Sequence, residues 1–169
     1  TNASNGNGAK ARTLKISIFR YDPKDPKTEP RMETYEPQEA PGMTPFIALN
    51  DIREKYDPSL TFDFVCRAGI FGRCGLLING RPALAGRTLT EGLGPEISLA
   101  PLPVFELIGD LSVHTGNWMR GMSERLRTWI HSQEDVDLRK MEERMEPELA
   151  EEIFELERCI ECGCCVPGC

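Results

Sequence analysis

Residues 62–85 read FDFVCRAGIFGRCGLLINGRPALA, a short apolar approach, a glycine-rich loop from Cys66 to Gly75, and two apolar runs flanking Asn79-Gly80. Asn-Gly between such runs is a strong two-residue hairpin signal, because both central residues of the favoured turn take positive φ. The stretch therefore predicts a loop carrying two thiols, Cys66 and Cys74, that returns into a sheet. Upstream, Arg12 to Arg20 (RTLKISIFR) alternates Leu14, Ile16 and Ile18 with polar residues, the period of a half-buried strand. Two prolines, Pro23 and Pro26, mark a turn, and Arg31 to Glu36 alternates again, so the pair reads as a hairpin with a loose loop. Thr44-Pro45 supplies an N-cap and a first-turn proline, Phe46, Leu49 and Ile52 recur behind it, and Asp57-Pro58 ends a helix near Lys55. Downstream, a further strand is predicted at about Ile97 to Ala100, with Pro101 and Pro103 closing the region. This order is that of a small α+β sheet folded around one helix.

Beyond Pro103 the reading turns helical. Met119, Met122, Leu126 and Trp129, then Leu138, Met141, Met145, Leu149, Ile153 and Leu156, recur at three and four residues and read as core stripes. The charges between Glu142 and Glu157 read as a solvated face. A boundary near 103 to 114 separates an α+β domain, 12–110, from a helical segment, 111–169, while Thr1 to Ala11, small and polar, is expected to be disordered.

That helical segment ends in Cys159-Ile-Glu-Cys162-Gly-Cys164-Cys165-Val-Pro-Gly-Cys169. Cys159, Cys162 and Cys165 fall at a strict three-residue interval, with Cys169 four residues on, which is the spacing of an iron-sulfur ligand run. A zinc knuckle or a disulfide knot is the alternative, but zinc sites normally use two separated pairs. Seven cysteines, an odd number, fit a reducing compartment and metal or redox chemistry better than a disulfide framework. A net charge of -7 argues against a nucleic-acid partner, and no apolar run reaches the length of a membrane span. His114 and His131 read as surface or interface residues rather than ligands.

Four phrases carry a family resemblance: FDFVCRAGI at 62–70, INGRP at 78–82, DLSVHTGNW at 110–118 and FELERCIECGCC at 154–165. Together they resemble the iron-sulfur subunits of quinol:fumarate reductase and succinate dehydrogenase, the fumarate reductase branch most of all. The resemblance implies a β-grasp, plant-type ferredoxin domain carrying a 2Fe-2S cluster, and a helical bacterial-ferredoxin-type domain carrying 4Fe-4S and 3Fe-4S clusters. It implies a non-catalytic electron relay between a membrane quinol and a flavoprotein (FAD) subunit that interconverts fumarate and succinate. It also implies a membrane-anchor cytochrome b or quinone-binding subunit, which holds the assembly on the cytoplasmic face of the inner membrane. By the same pattern Cys159, Cys162 and Cys165 are assigned to the 4Fe-4S cluster and Cys169 to the 3Fe-4S cluster, Cys164 is not a ligand, and the remaining ligands lie downstream.

The family's 2Fe-2S ligands fall on Cys66, Phe71, Cys74 and Gly86, so two of four thiolates are replaced. Arg73 is expected to add bulk beside the cluster space. The expectation is an N-terminal fold that survives without its iron. The alternative function is a cluster-poor docking module of the same complex.

Overall fold

The structure, a computed structural model, describes residues 12–126, 146–156 and 158–169. The predicted disordered tail, the stripe positions Trp129, Leu138, Met141 and Met145, and His131 lie outside the described residues.

Strand β1 spans Lys15–Arg20 and buries Ile16 and Ile18 on one face, as the alternation requires. Strand β2, Arg31–Tyr35, pairs antiparallel to it with Ile18 opposite Glu33. Helix α1, Pro45–Lys55, begins at Thr44, whose hydroxyl accepts the Ile47 N–H, and buries Phe46, Ala48, Leu49 and Ile52. Strands β3, Gly75–Ile78, and β4, Arg81–Leu84, form the Asn-Gly hairpin, with Asn79 at φ 50° and Gly80 at φ 75°. After a 3-10 turn at Thr90–Gly92, strand β5, Glu96–Ala100, runs parallel to β1 and antiparallel to β3. The sheet order is β2-β1-β5-β3-β4. The parallel β1–β5 pair needs a crossover, and α1 lies within it, so the helix packs its apolar face on Leu14, Ile16, Ile18, Leu76, Ile78, Ile97 and Leu99. This is a β-grasp sheet, and the α+β reading holds.

The structure corrects the sequence reading in two places. Residues just beyond Pro103 are not helical: β6, Glu106–Gly109, and β7, Ser112–His114, form a two-stranded hairpin before helix α2, Gly116–Leu126. The pattern there hides a strand pair because polar Asp110 in its turn and Ser112 at the start of β7 are buried, where alternation would place apolar residues. The helical stripes are also not core among the described residues. Met119 and Met122 in α2 are half-buried. In α3, Pro147–Leu156, Leu149 is 49% exposed and Ile153 is half-buried. His114 is exposed, as read. A last single turn, α4, Cys165–Gly168, accommodates Pro167 because a first-turn residue needs no intrahelical N–H bond.

Candidate metal centres

Between α1 and β3 the chain has no regular structure, and two glycines shape it. Gly69 and Gly72 adopt φ of 72° and 66°, a left-handed conformation that costs other residues about 1–2 kcal/mol. The turn they make aims backbone N–H groups at the Cys66 sulfur. Those of Ile70 and Phe71 act most strongly, Ala68 and Gly69 less, and against the opposing effect of burial they bring the thiol down to about 7. Successive amides converging on one anion make a nest for a thiolate.

Cys74 closes the loop, 7% exposed, and its carbonyl accepts the Ala85 N–H at 2.9 Å. That bond brings the end of β4 alongside, so that a Cβ on Gly86 would lie 3.6 Å from Cys74 Sγ and 3.6 Å from the Cys66 carbonyl oxygen. Positions 66, 74 and 86 therefore converge. Phe71 contributes its backbone amide to the nest, while its side chain is 56% exposed.

A binuclear cluster takes four protein ligands, two per iron, because bridging sulfides fill the other positions. Here the loop offers the thiols of Cys66 and Cys74, an aromatic ring without a donor atom, and a glycine without a side chain. This donor set does not fit a fully protein-ligated 2Fe-2S cluster. The expectation for Arg73 is corrected: its Nη1 donates to Thr115 Oγ1 at 2.7 Å and its Nη2 lies 3.4 Å from Asp63 Oδ2, so those partners, rather than the cluster space, hold the guanidinium.

At the other end, Cys159, Cys165 and Cys169 are exposed and Cys162 is half-buried. The Glu161 N–H donates to Cys159 Sγ at 3.4 Å, and positive φ at Glu161 and Gly163 kinks the run. Among the described residues, no three His, Cys, Asp or Glu side chains are gathered as a ready metal site. The thiols of the run are thus near in sequence but not preassembled around one point. Their chemistry nonetheless suits iron and sulfide, since five soft thiol donors lie within eleven residues.

Sequence reasoning missed how this run meets the first loop. A Cβ on Gly72 would lie 2.5 Å from Cys162 Cβ and 2.7 Å from its Cα, and one on Gly75 would lie 3.0 Å from Cys164 Sγ. Gly163 rests against the Phe105 ring, which meets Trp118 edge-on at 5.8 Å between centroids. Cys164 is consequently half-buried, and its thiol is pushed up to about 12, by burial first and then by the neighbouring thiols of Cys162, Cys74 and Cys165. The signal in the sequence is the pair of glycines bracketing Arg73 and Cys74, whose missing side chains leave room for a second backbone.

Residues 15–120 match the family described as "2Fe-2S iron-sulfur cluster binding domain". The chain is 59% identical over 159 residues to the fumarate reductase iron-sulfur subunit of Wolinella succinogenes, which covers 94% of this chain and 66% of that protein. It is 30% identical over 162 residues to the mitochondrial succinate dehydrogenase [ubiquinone] iron-sulfur subunit 1 of Oryza sativa subsp. japonica, covering 95% of this chain and 57% of the relative. A chain of the Mycobacterium smegmatis Sdh1 complex in the apo form superposes with a TM-score of 0.76 at 26% identity, over 94% of this chain and 64% of that one. This chain thus spans 57–66% of the length of these relatives. With the β-grasp sheet, the thiol-bearing loop and the terminal cysteine run, the chain belongs to the 2Fe-2S iron-sulfur cluster binding domain family, and it is similar to the iron-sulfur subunits of fumarate reductases and succinate dehydrogenases.

Proposed function

We propose that this chain belongs to an electron-transfer subunit that relays electrons between a membrane quinol and a flavoprotein that interconverts fumarate and succinate. The observation that carries the reading is the seating of the cysteine run on the β-grasp loop, Cys162 against Gly72 and Cys164 against Gly75, so that both thiol groups share one region. A relay needs no catalytic acid, base or nucleophile, since the chemistry belongs to the cofactor. In this reading Cys159, Cys162 and Cys165 ligate a 4Fe-4S cluster and Cys169 a 3Fe-4S cluster, with the remaining ligands supplied by downstream residues outside this sequence. The ferredoxin-like part, in this reading, runs from 12 through the β6–β7 hairpin, and the helical part begins with α2 at Gly116. No helix among the described residues is long and apolar enough to cross a membrane; in this reading an anchor subunit holds the assembly on the cytoplasmic face.

The names of the relatives favour the relay over a docking module without clusters. The test is Cys162→Ser in the assembled complex. Quinol-linked fumarate reduction is expected to fall by at least about a hundredfold, while reduction by a dye that serves the flavin directly persists. Equal loss of both activities, or near-zero iron and acid-labile sulfide in the wild-type complex, would overturn the reading.

A further inference from the structure

We infer that the loop from Cys66 to Gly86 is an emptied cluster cradle: as it stands it binds no 2Fe-2S cluster, and the substitutions F71C and G86C suffice to fill it. The inference rests on the loop geometry and not on the proposed relay. Two thiols cannot complete two tetrahedral irons, which is why the wild-type loop stays empty. The backbone around the space is nevertheless whole. Gly69 and Gly72 hold their left-handed turns, and the Ala85 N–H still donates to the Cys74 carbonyl, which keeps position 86 alongside Cys74.

Both replaced positions accept a side chain without rebuilding. At Gly86 an added Cβ meets Cys74 Sγ and the Cys66 carbonyl oxygen at 3.6 Å each, ordinary contact distances, and its φ lies outside the left-handed range. A thiol there starts beside Cys74. Phe71 is 56% exposed, stands outside the hydrophobic core and also lacks a positive φ, so exchanging its ring removes no core packing. Nor does the one bulky newcomer block the space, because Arg73 is held by Thr115 and Asp63.

The experiment uses the full 169-residue chain, reconstituted anaerobically with ferrous iron and sulfide. Iron, acid-labile sulfide and the low-temperature spin-resonance spectrum after dithionite are compared between wild type and F71C/G86C. The double variant is expected to gain two irons and two sulfides per chain over wild type, with a reduced binuclear signal that wild type lacks. A binuclear signal already present in wild type and abolished by C66S would overturn the inference, as would a folded double variant that gains no iron. Should the double variant fail to fold, G86C alone decides. On treatment with oxidised glutathione, its new thiol and that of Cys74 should give up two protons and two electrons and join as a disulfide, while the glutathione is reduced to two thiols. The expected readout is a peptide linking positions 74 and 86, lighter by two hydrogens than the separate thiols. Absence of that link in the folded variant would show that the two positions do not face one space.

Discussion

Arg20 ends β1 with its side chain 6% exposed, and a cation that deep persists only because carboxylates surround it. It is paired with Asp57 and lies 3.1 Å from Glu33, while its Nε faces Asp110 Oδ1 at 3.1 Å without the alignment of a hydrogen bond. Asp110 also accepts the N–H groups of Tyr21 and Thr61, so one carboxylate ties together β1, the segment after α1 and the β6–β7 turn. Removing it leaves a buried charge short of a partner and two amides unsatisfied. Asp110→Ala should lower stability by about 3 kcal/mol in urea unfolding, and a loss below about 1 kcal/mol would mean that the remaining carboxylates compensate. Asp57 gives the network its pH dependence. Hydrogen bonds from Ser59, then from Arg20, hold its carboxyl well below the usual range. A depressed folded pKa contributes stability that is present above the unfolded value of about 3.9 and lost as pH falls toward the folded one. The thermal midpoint should therefore drop steadily below pH about 4. In Asp57→Asn that drop should be shallower, and parallel curves for the two proteins would remove Asp57 from the account.

Helix α1 is the piece around which the sheet closes, and its start depends on a bond made entirely within four residues, the Ile47 N–H to Thr44 Oγ1 at 3.4 Å. Thr44→Ala should cost about 1 kcal/mol. Leu49→Ala, which empties a fully packed position on the sheet side, should cost about 3 kcal/mol, both read from chemical unfolding. An equal cost for the two would mean that capping rather than packing holds the helix. The same locality explains what a reader of the sequence can find. The cap and first-turn proline of α1, the alternation in β1 and the Asn-Gly turn between β3 and β4 each state their structure within a few residues, and each forms where it reads. The β6–β7 hairpin does not announce itself, because Asp110 is buried for partners distant in the chain, Tyr21 and Thr61, and the register shifts between Leu107 and Gly109. Arg73 is a second such case. Its direction is set by Thr115, 42 residues away, so its bulk is legible and its orientation is not. At the cysteines the identity of the donors and the absence of two of them can be read directly, whereas the nest of amides at Cys66 and the burial of Cys164 exist only once the loop has folded.

The two thiol-bearing regions meet through glycine, and this contact yields a test with an internal control. Gly72 and Gly80 both have positive φ, 66° and 75°, so alanine at either should carry a similar backbone penalty of about 1–2 kcal/mol. Their surroundings differ. A Cβ at Gly80 meets nothing within 4 Å, whereas one at Gly72 would lie 2.5 Å from Cys162 Cβ and 2.7 Å from Cys162 Cα, a clash that no rotamer change can relieve. Gly72→Ala should therefore lift the 161–165 turn off the loop, while Gly80→Ala should only weaken the β3–β4 hairpin. Hydrogen exchange separates the outcomes, because local opening is read amide by amide. Amides of 161–165 should exchange on the order of tenfold faster in Gly72→Ala, equivalent to about 1.4 kcal/mol of lost seating, and at the wild-type rate in Gly80→Ala. The Trp118 emission should shift with the first variant alone, since Phe105 links that indole to Gly163. Equal exchange in the two variants would mean that the cysteine run does not depend on the loop for its position. A difference confined to Gly72→Ala would make the glycine seat the feature that sets the distance between the run and Cys74.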